Sequence, residues 1–288
     1  MNDSLCFLNG EFQPLGQARI PVLDRGFIFG DGIYDVVPVY GRRLFRFDEH
    51  LARLIRSLAK VRIQNPYHRD EWLAHCRHLI QAGADDNQVV YIQVSRGVAP
   101  RDHVMPSGVK PTVFMMSSPM RQASAEQRHQ GVSCITARDV RWERGDIKST
   151  SLLGNVLARQ LSADHGALET IMFRDGYLTE AAASNVWIVH EAALLGPPKS
   201  DHVLEGIRVE LLRELCEDCG VAYNLRPLPE ADVRSADEVL LSSATKEILP
   251  VTNIDGEAVG HGALRGKPGP VYARLHEAYQ RAKLSMSI

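Results

Sequence analysis

The sequence predicts an α+β chain built as two domains, and three observations carry that expectation. Strand-like and helix-like runs are intermixed without strict βαβ alternation. A polar stretch, Pro119–Gly131, could join two domains, and both kinds of run occur on either side of it. The chain has 288 residues, 44% of them hydrophobic, enough for one large core or two ordinary ones.

The elements follow in order. Leu5–Asn9 and Glu11–Gln13 read as short strands around the turn at Asn9-Gly10. Gly26, Gly30 and Gly32 punctuate a loop, after which Ile33–Tyr40 reads as a strand. Asp48 is placed to cap a helix in which Leu51, Leu54, Ile55 and Leu58 recur at helical spacing. A second helix, Asp70–Ala82, has the stripe Trp72, Leu73, Cys76, Leu79 and Ile80, with Gly83 as its stop. Val89–Ser95 and Thr112–Ser118 are β-rich, as is Val132–Val140. Ser151–His165 is a helix closed by Gly166. Glu169–Arg174 and Ser184–His190 are strands around a turn at Asp175-Gly176. Glu205–Cys219 is a helix, Glu238–Ser242 a strand and Val271–Lys283 a terminal helix.

Composition excludes several classes. With 33 basic and 35 acidic residues there is no electrostatic case for nucleic acid or an anionic membrane as the main partner. No apolar run approaches the roughly 20 residues that span a bilayer, and the start lacks the pattern of a signal peptide. Five cysteines, an odd number, suit reduced thiols better than a disulfide framework. These features together predict a cytoplasmic protein. Cys216 and Cys219 lie within a helical run, with no second pair at zinc spacing, and read as ordinary thiols.

Candidate chemistry begins at Arg141-Trp142-Glu143-Arg144-Gly145-Asp146-Ile147-Lys148-Ser149-Thr150, where a strand gives way to a helix. A lysine there can form a Schiff base if its amine is neutral or a cofactor aldehyde captures it. Taken alone, one lysine near a helix start reads as a solvated surface residue. Glu180, in Leu178-Thr179-Glu180, is a carboxylate that could hold a proton on a pyridine nitrogen. Taken alone, it reads as a turn residue. A phosphate needs donors and a cation. The helix opening at Gly206-Ile207 offers backbone N–H groups, and Ser242, Ser243 and Thr245 offer hydroxyls. Arg53 could supply charge, although it projects opposite the apolar stripe of its helix. Arg101 and His103, in a Gly- and Pro-rich loop, could clamp a carboxylate, and Tyr34 could add a phenol. His75 and His78 flank Cys76, but no carboxylate completes a metal set, so they read as solvent-facing.

In sequence order, Asp24-Arg25-Gly26 through Tyr34-Asp35-Val36-Val37, Glu49-His50-Leu51-Ala52-Arg53-Leu54, Arg96-Gly97 through Pro100-Arg101-Asp102-His103, Asp146-Ile147-Lys148-Ser149, and Thr179-Glu180 with Ser184-Asn185-Val186 span nearly the whole chain. Together they resemble the class IV aminotransferases, the fold-type IV pyridoxal phosphate enzymes, and among these look most like the D-amino acid aminotransferases. The resemblance implies roles. Lys148 holds pyridoxal 5'-phosphate as a Schiff base and shuttles the α-proton. Glu180 pairs with the ring nitrogen. Arg53, Ser243 and the backbone of Ile207 and Arg208 bind the phosphate, and Tyr34, Arg101 and His103 bind the substrate carboxylate.

The resemblance also implies a smaller N-terminal α/β domain over 1–120, an interdomain linker over 121–131 and a larger C-terminal domain over 132–288. The larger domain would carry Lys148, with the cofactor between the two. It implies a homodimer whose Arg101/His103 loop reaches the neighbouring site. The reaction expected is ping-pong transamination between a D-amino acid, such as D-alanine, and a 2-oxo acid, such as 2-oxoglutarate. Branched-chain L-amino acid transamination, R-amine transamination and aminodeoxychorismate lyase activity belong to the same fold. A non-catalytic metabolite-binding protein is the reading from another class. The chain departs from the pattern at Ala181-Ala182-Ala183, Arg208 and Ala244, where hydroxyls are common in the family.

Overall fold

The computed structural model describes residues 4–288. They form two compact units. One runs to Arg121 and also takes in Ile147–Leu152 and Met286–Ile288; the other comprises Gln122–Asp146 and Leu153–Ser285. Each unit has its own sheet and helices, so the fold class is α+β.

The first unit starts with β1 (Leu5–Leu8) and β2 (Glu11–Pro14), joined through Asn9 and Gly10. Both turn residues take positive φ, as a type I′ hairpin turn requires. Next come α1 (Arg25–Phe29), β3 (Gly32–Tyr40), β4 (Arg43–Leu44), α2 (Phe47–Lys60), α3 (Arg69–Ala82), β5 (Gln88–Ser95) and β6 (Thr112–Pro119). The strands form an antiparallel sheet in the order β2-β1-β6-β5-β3-β4. Strand alternation decides its two faces. Ile33, Asp35, Val37 and Val39 are buried, whereas Tyr34 and Val36 are half-buried. The buried face forms one core with Phe47, Leu51, Leu54, Leu58, Trp72, Cys76, Leu79 and Ile80 of α2 and α3.

Helix α2 differs from the expected reading. Its buried side includes His50, Arg53 and Ser57 as well as Phe47, Leu51, Leu54 and Leu58, while Ile55 is exposed. Arg53 therefore does not project away from the core. Apolar spacing misses side chains that are buried because they pair with a charge on the sheet. Asp48 is not the cap either: Arg46, in the left-handed region, occupies that position, and Asp48 in the first turn pairs with Arg69.

The second unit comprises α4 (Ala125–Gln130), β7 (Val132–Arg138), α5 (Leu153–Asp164), β8 (Glu169–Arg174), β9 (Tyr177–Ala181), β10 (Asn185–His190), β11 (Ala193–Gly196), α6 (Ile207–Cys219), β12 (Tyr223–Leu225), α7 (Glu230–Arg234), β13 (Glu238–Ser243), β14 (Glu247–Ile254), β15 (Glu257–Ala258) and α8 (Pro270–Ser285). Its mixed sheet runs β12-β11-β10-β13-β14-β7-β8-β9, with β15 on β14. Parallel pairing joins β14 to β7, β7 to β8 and β11 to β12. One core gathers Val132, Ile171, Val186, Ile188, Val239, Leu241, Leu249 and Val251. Helices α6 and α8 pack on each other and on β13.

Two boundaries differ from expectation. The stretch 121–131 contains helix α4, capped by Ser124 and Gln127 in a capping box, and from Gln122 on it belongs to the second unit. The segment carrying Lys148 belongs to the first unit, although 132–288 as a block was expected to carry it. The cause is backbone pairing. Tyr34 N–H donates to Lys148 O (3.0 Å) and Thr150 N–H donates to Gly32 O (2.9 Å), closing an antiparallel bridge between Ile33 and Ser149. Ile147 joins the first unit's core.

Glycine makes that pairing possible. Gly30 has φ +65, and a Cβ on it would lie 2.7 Å from Ser151 Oγ and 3.2 Å from Ser151 Cα. Gly32 would place one 3.2 Å from Thr150 Oγ1 and 3.1 Å from Ser95 Cα. Gly30→Ala should cost about 2 kcal/mol in urea denaturation, from left-handed strain plus displacement of the Lys148 segment. Gly176→Ala, also left-handed (φ +82) but with nothing within 4 Å, should cost only about 1 kcal/mol. Equal losses would mean that the segment is not pressed against Gly30.

Candidate active site

In the first unit the structure brings Lys148 and Tyr34 together. Ile147 and Ser149 are buried and Lys148 between them is half-buried, so the paired segment turns its lysine toward accessible space. Lys148 Nζ donates to Tyr34 Oη at 3.3 Å and lies 4.4 Å from the ring centroid. Tyr34 is braced by Tyr91, whose ring stacks on it at 5.8 Å. Burial first, and then the proximity of Tyr34, push the Tyr91 phenol up to about 12. It stays protonated and donates to Gln93 Oε1 at 2.8 Å.

Arg53 sits on the other face of the same sheet. Asp35 follows Tyr34 and so points the opposite way, toward α2. Arg53 Nε and Nη2 donate to its two oxygens at 2.9 and 2.8 Å, and His50 Nδ1 lies 2.7 Å from Oδ1. Burial works against the Asp35 charge. The charges of Arg53 and His50, with their hydrogen bonds, outweigh it and hold the carboxyl well below the ordinary range.

Arg101 and His103 are both exposed, and both stand beside the Phe29 ring, at 5.6 and 5.3 Å. Their loop is anchored from behind. Arg25 Nη1 donates to Asp102 O, and Arg25 and Arg96 both grip Asp31. The pair is thus held in position but directed into solvent.

In the second unit Glu180 lies on β9, not in a turn, and is 7% exposed. Tyr177–Ala181 was missed as a strand because its outer residues lack alternation: four of the five positions are buried. Glu180 Oε1 accepts from Arg141 Nη1 at 2.5 Å and Oε2 accepts from Leu204 N–H at 3.1 Å. Leu204 O accepts from Asn185 Nδ2 at 3.0 Å, and Asn185 pairs with Ser242 across β10 and β13. Two residues beyond Leu204, Gly206 starts α6 without any side-chain cap. The first N–H groups of that helix, at Ile207 and Arg208, have no intrahelical acceptor and give the helix a positive dipole end.

The Arg208 side chain turns inward. It is 2% exposed, donates to Ala244 O at 3.3 Å and lies 5.7 Å from the Tyr279 ring centroid. Ser243 Oγ accepts from Lys246 N–H at 3.1 Å, closing the turn between β13 and β14. Glu180, the start of α6 and the turn at Ser243 and Ala244 therefore form one linked wall.

Sequence reasoning overlooked Arg141, Asp139, Asp35 and the Leu204 amide. Asp139 and Arg141 lie just beyond β7, Arg141 at the start of the segment singled out for Lys148. An acid and a base two residues apart at a strand end was the available signal. His75 was expected to face solvent, yet it is half-buried and stacks on Phe7 at 4.2 Å, while His78 is exposed against Phe12.

The profile of the class IV amino-transferases matches residues 32–254. The D-alanine aminotransferase of Bacillus licheniformis is 37% identical over 277 residues, 96% of each chain. That of Staphylococcus haemolyticus is 36% identical over 275 residues, again 96% of each. Among solved structures, the Escherichia coli branched-chain amino acid aminotransferase superposes with a TM-score of 0.89 at 24% identity, covering 97% of this chain and 94% of that one. The branched-chain aminotransferase of the archaeon Thermoproteus uzoniensis with norvaline gives 0.88 at 22% identity, covering 98% and 95%. These last two are likenesses of fold. The fold is that of the fold-type IV enzymes, and the chain belongs to the class IV aminotransferases. It is an enzyme of transamination.

The Asp35 cluster predicts a pH dependence. Its folded pKa is depressed below the ordinary 3.8, so its stabilisation is fully present above that value and is lost as pH falls below it. Asp35→Asn should cost about 3–5 kcal/mol at pH 7, because Arg53 is left buried without its partner. In urea denaturation the gap to the unmodified protein should not narrow from pH 7 to 5, and should narrow only below about 4. A gap that closes between pH 7 and 5 would assign the effect to another group.

Proposed function

We propose that the chain exchanges an amino group between a D-amino acid such as D-alanine and a 2-oxo acid such as 2-oxoglutarate, using pyridoxal 5'-phosphate. The observation that carries this reading is the likeness to D-alanine aminotransferases over 96% of the chain. The position of Arg101 and His103 on an anchored loop supports it.

The residues present suit the cofactor. Its aldehyde, ring nitrogen and phosphate call for an amine, a carboxylate and a set of N–H donors. Lys148, Glu180 and the uncapped start of α6 are groups of those kinds. When bound, pyridoxal phosphate supplies an electron sink for the pair left behind as the α-proton departs. Lys148 would hold the cofactor at its aldehyde carbon. Once displaced by substrate, it would take the α-proton on Nζ and return it. Tyr34, which accepts a hydrogen bond from Nζ, would orient that amine. Glu180 would meet the ring nitrogen. The N–H groups of Ile207 and Arg208, with the Ser243 hydroxyl, would hold the phosphate. Arg53 would contribute through Nη1, since Nε and Nη2 serve Asp35.

Tyr34, Arg101 and His103 would bind the substrate carboxylate. Arg101 and His103 share their surface with exposed apolar side chains: Phe27 is 69% exposed and Val104 72%. A second copy of the chain would cover that surface, with the loop serving the neighbour's site in a homodimer. No helix among the described residues is long and apolar enough to cross a membrane. The five free cysteines, four of them buried, support a reducing, cytoplasmic setting.

The decisive measurement is a half-reaction on the cofactor-loaded protein without oxo acid. D-alanine should convert the cofactor spectrum and L-alanine should not. Conversion by L-alanine alone would favour the branched-chain L reading, and turnover that releases pyruvate without an oxo acid would favour a lyase. Arg101→Ala should raise KM for amino acids at least tenfold, the scale of one lost charge-assisted carboxylate contact of about 1.5–3 kcal/mol. Cofactor affinity should change little. Equal loss of both would count against the clamp.

A further inference from the structure

Glu180 does not hold Arg141 alone. Arg141 Nε and its own N–H donate to Asp139 Oδ1 at 3.0 and 3.1 Å, and Nη2 donates to Oδ2 at 2.8 Å. Nη1 goes to Glu180 Oε1. Asp139 and Arg141 have side chains no more than 7% exposed, and Glu180 9%. Two carboxylates thus compete for one guanidinium, and Asp139 takes the larger share of its donors. Thr179 Oγ1 donates to Asp139 Oδ2 at 2.8 Å, and Arg174 Nη2 lies 3.5 Å from Oδ1. Arg174 is itself tied to Arg141 O at 2.7 Å and to His202 Nδ1 at 3.0 Å.

The balance of charge has a chemical consequence. A carboxylate that owns a guanidinium outright is a poor base, because the positive charge cancels its field on any third group. One that shares the guanidinium with a second carboxylate keeps most of its field. We propose that Asp139 is a positioning residue for Glu180: by engaging Arg141 it leaves Glu180 able to keep a proton on the ring nitrogen of bound pyridoxal phosphate. This rests on the reading above that Glu180 meets that nitrogen.

The electrostatics agree with the geometry. Burial opposes the Asp139 charge, but hydrogen bonds and charge from Arg141, with Thr179, hold its carboxyl down to about 2. Burial likewise opposes the Arg141 charge, and Asp139 and Glu180 outweigh it, so its pKa is raised. Both groups are charged at neutral pH. Replacing Asp139 by asparagine removes one negative charge and leaves Arg141 to Glu180 alone.

The test uses holoenzyme loaded with pyridoxal phosphate labelled with 15N in the ring, reading ring-nitrogen protonation by NMR across pH. Asp139→Asn should release the ring proton at a pH about one unit lower, the lower end of shifts caused by a neighbouring charge. Glu180→Gln, measured in parallel, separates the two levels of the argument. If Glu180→Gln shifts the titration and Asp139→Asn does not, the role of Asp139 is overturned. If Glu180→Gln leaves it unmoved, the underlying assignment of Glu180 fails, and this inference with it. Should Asp139→Asn not fold, Thr179→Val retains the charge while removing a donor from Asp139. Asp139 then draws Arg141 more strongly, and the ring proton should be held to higher pH; no shift or a fall overturns the proposal.

Discussion

The free edge of β3 is the constraint on which the rest depends. A strand edge presents unpaired N–H and C=O groups, and it must be covered or charged. Here the chain returns much later in the sequence to cover it with Ile147–Thr150. The approach is close: a Cβ at position 30 would lie 2.7 Å from Ser151 Oγ, and one at position 32 would lie 3.2 Å from Thr150 Oγ1. Once Ile33 and Ser149 are paired, Lys148 has one direction left, and its amine meets Tyr34. The same alternation that presents Tyr34 to Lys148 turns Asp35 to the helix-covered face, where it binds Arg53 and His50. A single step along one strand therefore separates the side chain that meets Lys148 from the one that pairs with Arg53 and His50.

The second unit manages its buried charges by sharing. Glu169, fully buried, accepts from Ser184 Oγ at 3.0 Å and from Lys246 Nζ at 2.7 Å. It ties the start of β10 to the turn between β13 and β14. Glu247, also fully buried, takes Arg128 at 3.1 Å, Gln280 at 3.1 Å and Lys283. Burying an ion pair gives little net stability, because desolvation offsets most of the attraction. What such a pair does supply is a unique geometry, since each charge has only one satisfactory position. The loops fixed in this way carry Ser184, Asn185, Ser243 and Ala244, the same segments that border the start of α6. Asp139, Arg141 and Glu180 follow that pattern, with one guanidinium shared between two carboxylates.

Much of this was legible from periodicity and turn chemistry. The hairpin at Asn9-Gly10, the strand from Ile33, the α3 stripe and the β-rich runs from Val89 and Thr112 were readable because each buries one apolar face. Lys148, Glu180 and Tyr34 stood out only through the order of motifs along the chain. What escaped has one physical cause: buried polar groups paired with distant partners leave no local pattern. Arg53 looked exposed because its partner lies on β3. Arg141 drew no notice because Asp139 and Glu180 meet it only in the folded sheet. The boundary at 121–131 misled for a related reason. A polar composition marks solvent exposure, and α4 is an exposed capped helix as readily as a linker. Nor could the sequence show that the Lys148 segment pairs with β3, because backbone hydrogen bonds carry no side-chain signature.

The departures from the family pattern become intelligible at the level of the backbone. Where hydroxyls are common, this chain has alanines at 181–183 and 244 and an arginine at 208. The structure uses the carbonyls at two of these positions. Ala182 O accepts from Asn155 Nδ2 at 2.8 Å, and Ala244 O accepts from the buried Arg208 guanidinium. A carbonyl acceptor is present whatever the side chain, so losing a hydroxyl there need not loosen the loop. The same holds for the N–H groups that begin α6, which no substitution short of proline removes. An arginine at 208 is tolerated because its side chain is buried, beside the Tyr279 ring and bonded to Ala244 O.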